Sequence, residues 1–548
     1  NTMSIIIEDN KHTTISDLFY IQNAIHFTIN DISVPLANSI RRTILSDIPS
    51  IAFDDTWVDN EHDRSIRIVN NTSGLHNEFL SHRLSLIPIN RYEYSLNDSL
   101  GIQTVFNKKT NKRELSFSNE EEIPIFKLHK QHLSDTDMEK NNYGLIEVNS
   151  SHIQYEDDVS DIDYANYFKP DLYIKETLKN DEYIIINMLK PNEELELYMT
   201  PTIGLGRDNA RYCTVGTVSY SFNIDEEKVD TVFEQIIHQE NKERIEKKLK
   251  PFGDEEIEKK KKSFMLLDKE RVFQTNTHKE PNSFHYCVES IGTLPSHQIV
   301  YDSLTMIRLR LHDIIHSFTG FIKDATMVKD TTIIIYNNKE PLMNNKVNVY
   351  QSVENLLGYI ITIKNCNHTL GNLINYYTNS LFTNIDRIET ERVTIPNFES
   401  LDLQSEDMYT YNQAILEQCG YKMPHPLQEE IEFKLKLSSN IGEFEMFQLY
   451  EEYSLEINKL YPIQTGTTGL ISDQEKQKVV VIYTFIKSIQ AIQQIITNML
   501  RQWTSETAKF GDEINKPSFI IKDTFNEPSS AEQPEQQSEK ENEATDED

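Results

Sequence analysis

NHTLGNLINYYTNSL, residues 367–381, follows a stretch of alternating apolar residues and opens a helical pattern with Leu-Gly-Asn. DISVPLANSIRRTIL, residues 31–45, does the same with Leu-Ala-Asn. Asn372 lies 334 positions after Asn38, and that shift brings Leu36 onto Leu370, Ala37 onto Gly371 and Ile40 onto Ile374. The preceding residues match in kind. IHFTI (25–29) and YIITI (359–363) are apolar at every second position, the period of a half-buried strand. Two strand–turn–helix units in the same phase indicate a duplication within the chain.

In the first unit, Ser33 or Asp31 can cap a helix near 35–46, and Pro35 is tolerated in the first turn because its missing N–H has no helical partner there. Leu36, Ile40 and Ile44 recur every fourth residue and form an apolar stripe beside Ala37, while Arg41 and Arg42 fall off it. The residues up to about 215 read as a separate lobe of short strands and loops. FHYCVES (284–290) then reads as a strand, and 297–318 as a long helix with an apolar stripe. In the second unit EIEFKLKL (430–437) alternates as a strand buried on one face, and a longer helix is expected over 478–503. Each half therefore reads strand, helix, strand, long helix. A long apolar helix stripe cannot bury itself, so the two units are expected to pack together. A connection of about thirty residues, spanning about 30 Å as flexible chain, suffices to join them.

The composition narrows the function. The 548 residues are 38% hydrophobic and 10% aromatic, enough for real cores in two or three domains. A net charge of −33 argues against direct binding of duplex nucleic acid. Residues 523–548 hold ten acidic residues against Lys540 alone and too few large apolar ones to fold. The four cysteines, Cys213, Cys287, Cys366 and Cys419, lie too far apart for a clustered zinc or iron–sulfur site. The chain start has no signal-peptide pattern and no apolar run reaches the ~18 residues of a membrane span, so a soluble, reducing, intracellular setting is expected. Residues 228–250 read as a charged amphipathic helix with Val229, Val232, Phe233, Ile236, Ile237, Ile245 and Leu249 as its apolar positions. The run Lys259, Lys260, Lys261, Lys262 sits among acids and reads as a solvated helix face in preference to a nuclear signal. Gly204-Leu205-Gly206 lacks the third glycine and the lysine–serine of a phosphate loop. His76 and His82 show no paired-ligand spacing, and no catalytic constellation emerges.

Longer motifs carry a resemblance. VPLANSIRRTILSDIPSIAFD (34–54) and NNTSGLHNEFLSHRLSLIPI (70–89) resemble the α-like third subunit of eukaryotic RNA polymerase II, a family that includes the archaeal D and bacterial α polypeptides. GLGRDNARY (204–212), FMLLDKERVF (264–273) and EPNSFHYCVESIGTLP (280–295) follow in family order. NHTLGNLI (367–374) and GYKMPHPL (420–427) resemble the small partner, the eleventh subunit or archaeal L. A fusion of the two is similar to polymerase subunits of large cytoplasmic DNA viruses.

The resemblance implies an α+β fold of two α-like dimerisation domains forming an intramolecular pseudo-heterodimer, with a β-rich insert lobe. The expected division is 1–51 with 215–322 for the first domain, 52–214 for the lobe and 323–350 for a linker. The second domain spans 351–510, with insertions near 383–413 and 441–477, and 511–548 is expected to be an acidic disordered tail. Leu36, Ala37, Ile40, Ile44, Leu370, Gly371, Leu373 and Ile374 would form the dimerisation core, with Ala37 and Gly371 permitting close approach. Arg41 and Arg42 would dock the second-largest subunit; the alternative for either is an exposed helix arginine. The implied function is a non-catalytic assembly platform for the two largest polymerase subunits, with small tenth- and twelfth-subunit-like partners. The alternative is a stand-alone nucleic-acid-binding regulator. Some relatives hold a four-cysteine zinc site just after the LIPI motif. RYEYSLNDSLGIQTVF (91–106) has no cysteine, so neither a metal nor another cofactor is expected. Location would be the host cytoplasm and the virion, or alternatively the nucleus.

Overall fold

A computed structural model describes residues 3–7, 24–56, 65–91, 101–107, 112–119, 123–132, 144–155, 168, 183–323, 333–337, 358–383, 414–439, 441–442, 446–451, 473–509 and 514–522. In chain order the strands begin with β1 (Ser4–Ile7), β2 (Ala24–Asn30), β3 (Pro49–Phe53), β4 (Ile66–Asn71), β5 (Ile102–Asn107), β6 (Lys112–Phe117) and β7 (Phe126–Gln131). They continue as β8 (Ile146–Asn149), β9 (Ile153–Tyr155), β10 (Ile185–Leu189), β11 (Glu194–Met199), β12 (Pro201–Leu205), β13 (Val215–Phe222) and β14 (Ser283–Ser290). The last are β15 (Ile333–Asn337), β16 (Gly358–Lys364), β17 (Leu416–Lys422), β18 (Glu430–Leu437) and β19 (Ile520–Lys522). The helices are α1 (Val34–Ser46), α2 (Asn77–Ser85), α3 (Glu226–Glu246), α4 (Asp254–Leu267), α5 (Ser296–Lys323), α6 (His368–Phe382) and α7 (Asp473–Ala508).

Two four-stranded antiparallel sheets share one strand order. The N-terminal sheet runs β1-β2-β14-β13 and the C-terminal sheet β15-β16-β18-β17. The 334-residue shift carries β2 onto β16 residue for residue. It also carries Asp31 onto Asn365, two non-glycine residues with positive φ (58° and 56°) at the turn into the helix. Aspartate and asparagine tolerate this left-handed conformation better than most residues. The next matched pair caps the helices. Ser33 Oγ accepts from the Leu36 N–H at 3.4 Å, and Asn367 Oδ1 accepts from the N–H groups of Thr369 and Leu370 at 3.1 and 3.4 Å.

Helix α1 packs on α5 and α6 on α7, while α1 also meets α6 and α5 meets α7. Strand β1 touches α7, and β15 touches α5. Both sheets and all four helices share one apolar core. Helix α7 is long and apolar enough over 479–508 to cross a membrane by composition, contrary to the reading that no such run exists. Its apolar side chains, Val480, Ile482, Phe485, Ile489, Ile496 and Trp503 among them, are buried in this core instead.

The lobe has its own core around Phe53, Phe126 and Phe168, with ring centroids 5.1–6.0 Å apart. Its sheets run β4-β11-β7-β9, β10-β8, β12-β3 and β19-β5-β6. Met306 and Leu309 of α5 join this core and anchor the lobe to the long helix.

Several expectations change here. Strand β3 crosses the residue-51 boundary, because its pairing with β12 closes the base of the lobe. The 323–350 linker contains β15, whose Ile-Ile-Ile-Tyr run supplies an edge strand. Residues 514–522, assigned to an acidic tail, are a packed strap. Ile514 and Phe519 are buried, and β19 pairs in parallel with β5. Ile236, Ile245 and Leu249 are exposed; only Val229, Phe233 and Ile237 of α3 are buried, against Phe264 of α4. The lysine run on α4 faces acids, Lys260 meeting Glu240 at 2.5 Å and Lys261 meeting Asp230 at 2.8 Å. Most of 92–100, the insertions near 383–413 and 441–477, and all of 523–548 lie outside the described residues.

Candidate assembly interface

Every apolar residue singled out on the two short helices is buried. Leu36, Ala37, Ile40 and Ile44 of α1 join Leu370, Leu373 and Ile374 of α6 in the shared core. Polar atoms stitch the same contact. Ser39 Oγ donates to the Pro35 carbonyl at 2.7 Å and reaches the Thr369 carbonyl at 3.3 Å, and Ser33 Oγ meets the Tyr377 hydroxyl at 3.3 Å.

Gly371 acts differently from expectation. A Cβ on Gly371 would stand 2.5 Å from Ile431 Cδ1 and 3.0 Å from the Tyr421 ring, both on the sheet of its own half. The missing bulk of Gly371 seats α6 on the sheet of its own half. The Tyr286 hydroxyl of β14 donates to the Ala37 carbonyl at 2.9 Å. Burial holds the Tyr286 phenol well above its ordinary pKa, so it stays a donor.

Residues that the stripe pattern did not single out complete the interface. Trp503 of α7 is fully buried, its indole N–H donates to the His297 carbonyl at 3.0 Å, and its ring meets Phe27 of β2 edge-on at 4.9 Å. Tyr376 of α6 donates to Glu280 Oε2 at 2.8 Å, and Gln502 donates to the Met3 carbonyl at 2.9 Å. A lone tryptophan at the end of an apolar stripe is the only sequence signal for this anchor.

The GLGRDNARY motif is a structural corner. A Cβ on Gly204 would lie 2.5 Å from the Tyr212 ring, and one on Gly206 2.7 Å from the Leu45 carbonyl oxygen, so both glycines answer to close packing. Arg207 N–H donates to the Ser46 carbonyl at the end of α1, and Arg211, 8% exposed, bridges Asp54 and Asp55.

The strap meets a buried charge. Asp302 of α5 accepts from the Ser518 N–H at 3.0 Å, from Ser518 Oγ and from Gln298 Nε2 at 2.9 Å. Arg91 donates to the carbonyls of Ser518 (2.8 Å) and Pro49 (3.3 Å). Burial dominates both groups, pushing the Asp302 carboxyl up to about 6 and the Arg91 guanidinium down to about 10.

Arg41 and Arg42 lie outside the core. Arg42 is exposed; Arg41 is half-buried and donates to Asn38 Oδ1 at 3.0 and 3.3 Å. Neither forms an ion pair among the described residues. Burial pushes the thiols of Cys366 and Cys419 up to about 12, which leaves them unreactive. Among the described residues no group of three or more His, Cys, Asp or Glu is placed to hold a metal.

Capped helices packed on antiparallel four-stranded sheets, their apolar faces turned to one another, define the class of α-like polymerase dimerisation folds. Residues 26–311 match the RNA polymerase Rpb3/Rpb11 dimerisation domain, and the chain belongs to that family. It is 26% identical over 206 residues to subunit RPAC1 of DNA-directed RNA polymerases I and III from Homo sapiens, covering 36% of this chain and 51% of the relative. It is 23% identical over 330 residues to subunit 3 of the Arabidopsis thaliana DNA-directed RNA polymerases II, IV and V, covering 56% and 88%. A shorter match, 34% over 83 residues, is to subunit RPB3 of Schizosaccharomyces pombe RNA polymerase II, covering 15% and 24%. The chain thus spans about half the length of the human relative.

Proposed function

We propose that this chain combines both members of an α-like pair and serves as the non-catalytic assembly platform of a DNA-directed RNA polymerase built from several subunits. The observation that carries this reading is the second unit. Residues 333–508 lie beyond the family match, yet their sheet has the strand order of the first, and α6 and α7 face α1 and α5. An obligate pair joined in one chain associates at an effective concentration on the order of millimolar. In this role the chain gathers the two largest subunits and docks small tenth- and twelfth-subunit-like partners. The magnesium-binding chemistry then lies in a large subunit. By the resemblance, the setting is a large DNA virus, with the protein in the host cytoplasm and virion, or alternatively in the nucleus.

Arg41 and Arg42 belong to the docking surface for the second-largest subunit. Their guanidiniums lie off the buried stripe and carry no internal ion pair among the described residues. Losing one partner of a buried charged pair costs roughly 3–5 kcal/mol, hundreds-fold in affinity. The test is capture of co-expressed large subunits by the tagged chain, wild type against Arg41→Glu/Arg42→Glu, with thermal melting as the folding control. The wild type is expected to retain both large subunits and the variant to lose the second-largest. Equal capture removes these arginines from the docking surface, and no capture by the wild type ends the platform reading.

A further inference from the structure

A cavity of about 100 Å³ opens where the lobe and both sheet units meet. Its walls come from β5, β6, β12, α5 and the turn between β16 and α6. Four cations line it, Arg113, Arg207, Arg310 and Lys364, against the carboxylates of Asp313 and Glu429. Asp47 and Asp208 stand behind the wall within 4.0 Å of Arg310 and Arg207, so charge is balanced overall and the free cationic groups are set by how closely each pair is made.

Two of the cations are engaged. Arg113 grips Asp313 through bonds of 2.7 and 2.8 Å, and Arg310 holds Asp47. The other two are available. Arg207 comes only within 3.7 Å of Glu429 and 4.0 Å of Asp208, too far for a hydrogen bond. Lys364 has no ion pair among the described residues. Thr104, in the same wall, is fully buried, and its hydroxyl has no hydrogen-bond partner among the described residues. A buried hydroxyl in that state is costly unless a ligand receives it.

We infer that this cavity binds a small oxyanion of the phosphate class, held by Arg207 and Lys364 with Thr104 donating from the lobe. Guanidinium and ammonium groups bind tetrahedral oxyanions through short, charge-assisted hydrogen bonds. A volume of about 100 Å³ has room for a single tetrahedral anion. Since Arg207 follows β12 and Lys364 ends β16, the anion cross-links residues far apart in the chain.

The test is a ³¹P NMR titration of inorganic phosphate into the full chain at fixed ionic strength, with equilibrium dialysis of radiolabelled phosphate for stoichiometry. Saturable binding of one phosphate per chain is expected. Lys364→Gln and Arg207→Gln should each weaken it about tenfold or more, the value of a hydrogen bond to a charged group. Lys364→Arg, which keeps the charge, should bind as the wild type does. Thermal melting controls for folding, and if Arg207→Gln melts early, the Lys364 pair decides alone. No saturable binding to the wild type overturns the site, and so does binding that a folded Gln variant leaves unchanged.

Discussion

Gly371 sits where a methyl group would press on Ile431 and Tyr421. Overpacking of a filled core costs about 1–3 kcal/mol, against a helix-propensity gain of about 1 kcal/mol for replacing glycine by alanine. Gly371→Ala should therefore lower the melting temperature modestly, and Gly371→Ala/Ile431→Val should recover part of the loss. A single variant that melts at or above wild type would show that the helix does not rest on the sheet here. Asp302 gives the residue scale a pH dependence. Its carboxyl has a pKa of about 6 in the fold against 3.8 for the free side chain, so the folded chain holds that proton more tightly. The resulting stability is fully present below about 4, is lost as the pH rises to about 6, and is constant above, for a total of roughly 3 kcal/mol. Asp302→Asn removes this titration. The stability of wild type relative to the variant should fall between about pH 4 and 6, as read from paired melting curves; parallel curves would contradict the assignment.

Among the elements, the strap 514–522 does what its composition does not announce. It buries Phe519, adds β19 to β5 and supplies Ser518 to Asp302. Deleting 511–548 should cost about 3 kcal/mol or more, from one buried aromatic and the orphaned carboxylate. Deleting only 523–548 should leave the melting temperature unchanged. Equal melting of both truncations would make the strap incidental. The sequence revealed β2, α1, β16 and α6 because alternation, capping residues and a four-residue stripe coincide there. It hid β1 and β15 because SIII and IIIYN are uniform apolar runs without alternation. It hid the strap because nine ordered residues stand beside a long acidic stretch that dominates any composition window. At the interface, spacing identified the buried faces of α1 and α6 but not their covering partners. Spacing alone therefore gives Gly371 the wrong neighbour.

For the whole molecule, the matched contacts of α1 with α6 and α5 with α7 support closure of the interface within one chain. Light scattering of the full chain should then give the 64.0 kDa monomer. A stable dimer that exchanges its halves between chains would refute intramolecular closure. The Trp503–Phe27 contact has a further consequence, for synthesis. Translation at about 5–20 residues per second leaves Phe27 without its tryptophan for roughly 25–100 seconds. During that time the parts of β2 and α5 that α7 covers in the finished fold wait for residues the ribosome has not yet made. Carrying both units in one chain thus entails a long exposure of the nascent chain, in which hydrophobic surface invites aggregation. Chaperone engagement should accordingly concentrate on nascent chains between the completion of α5 and the emergence of α7.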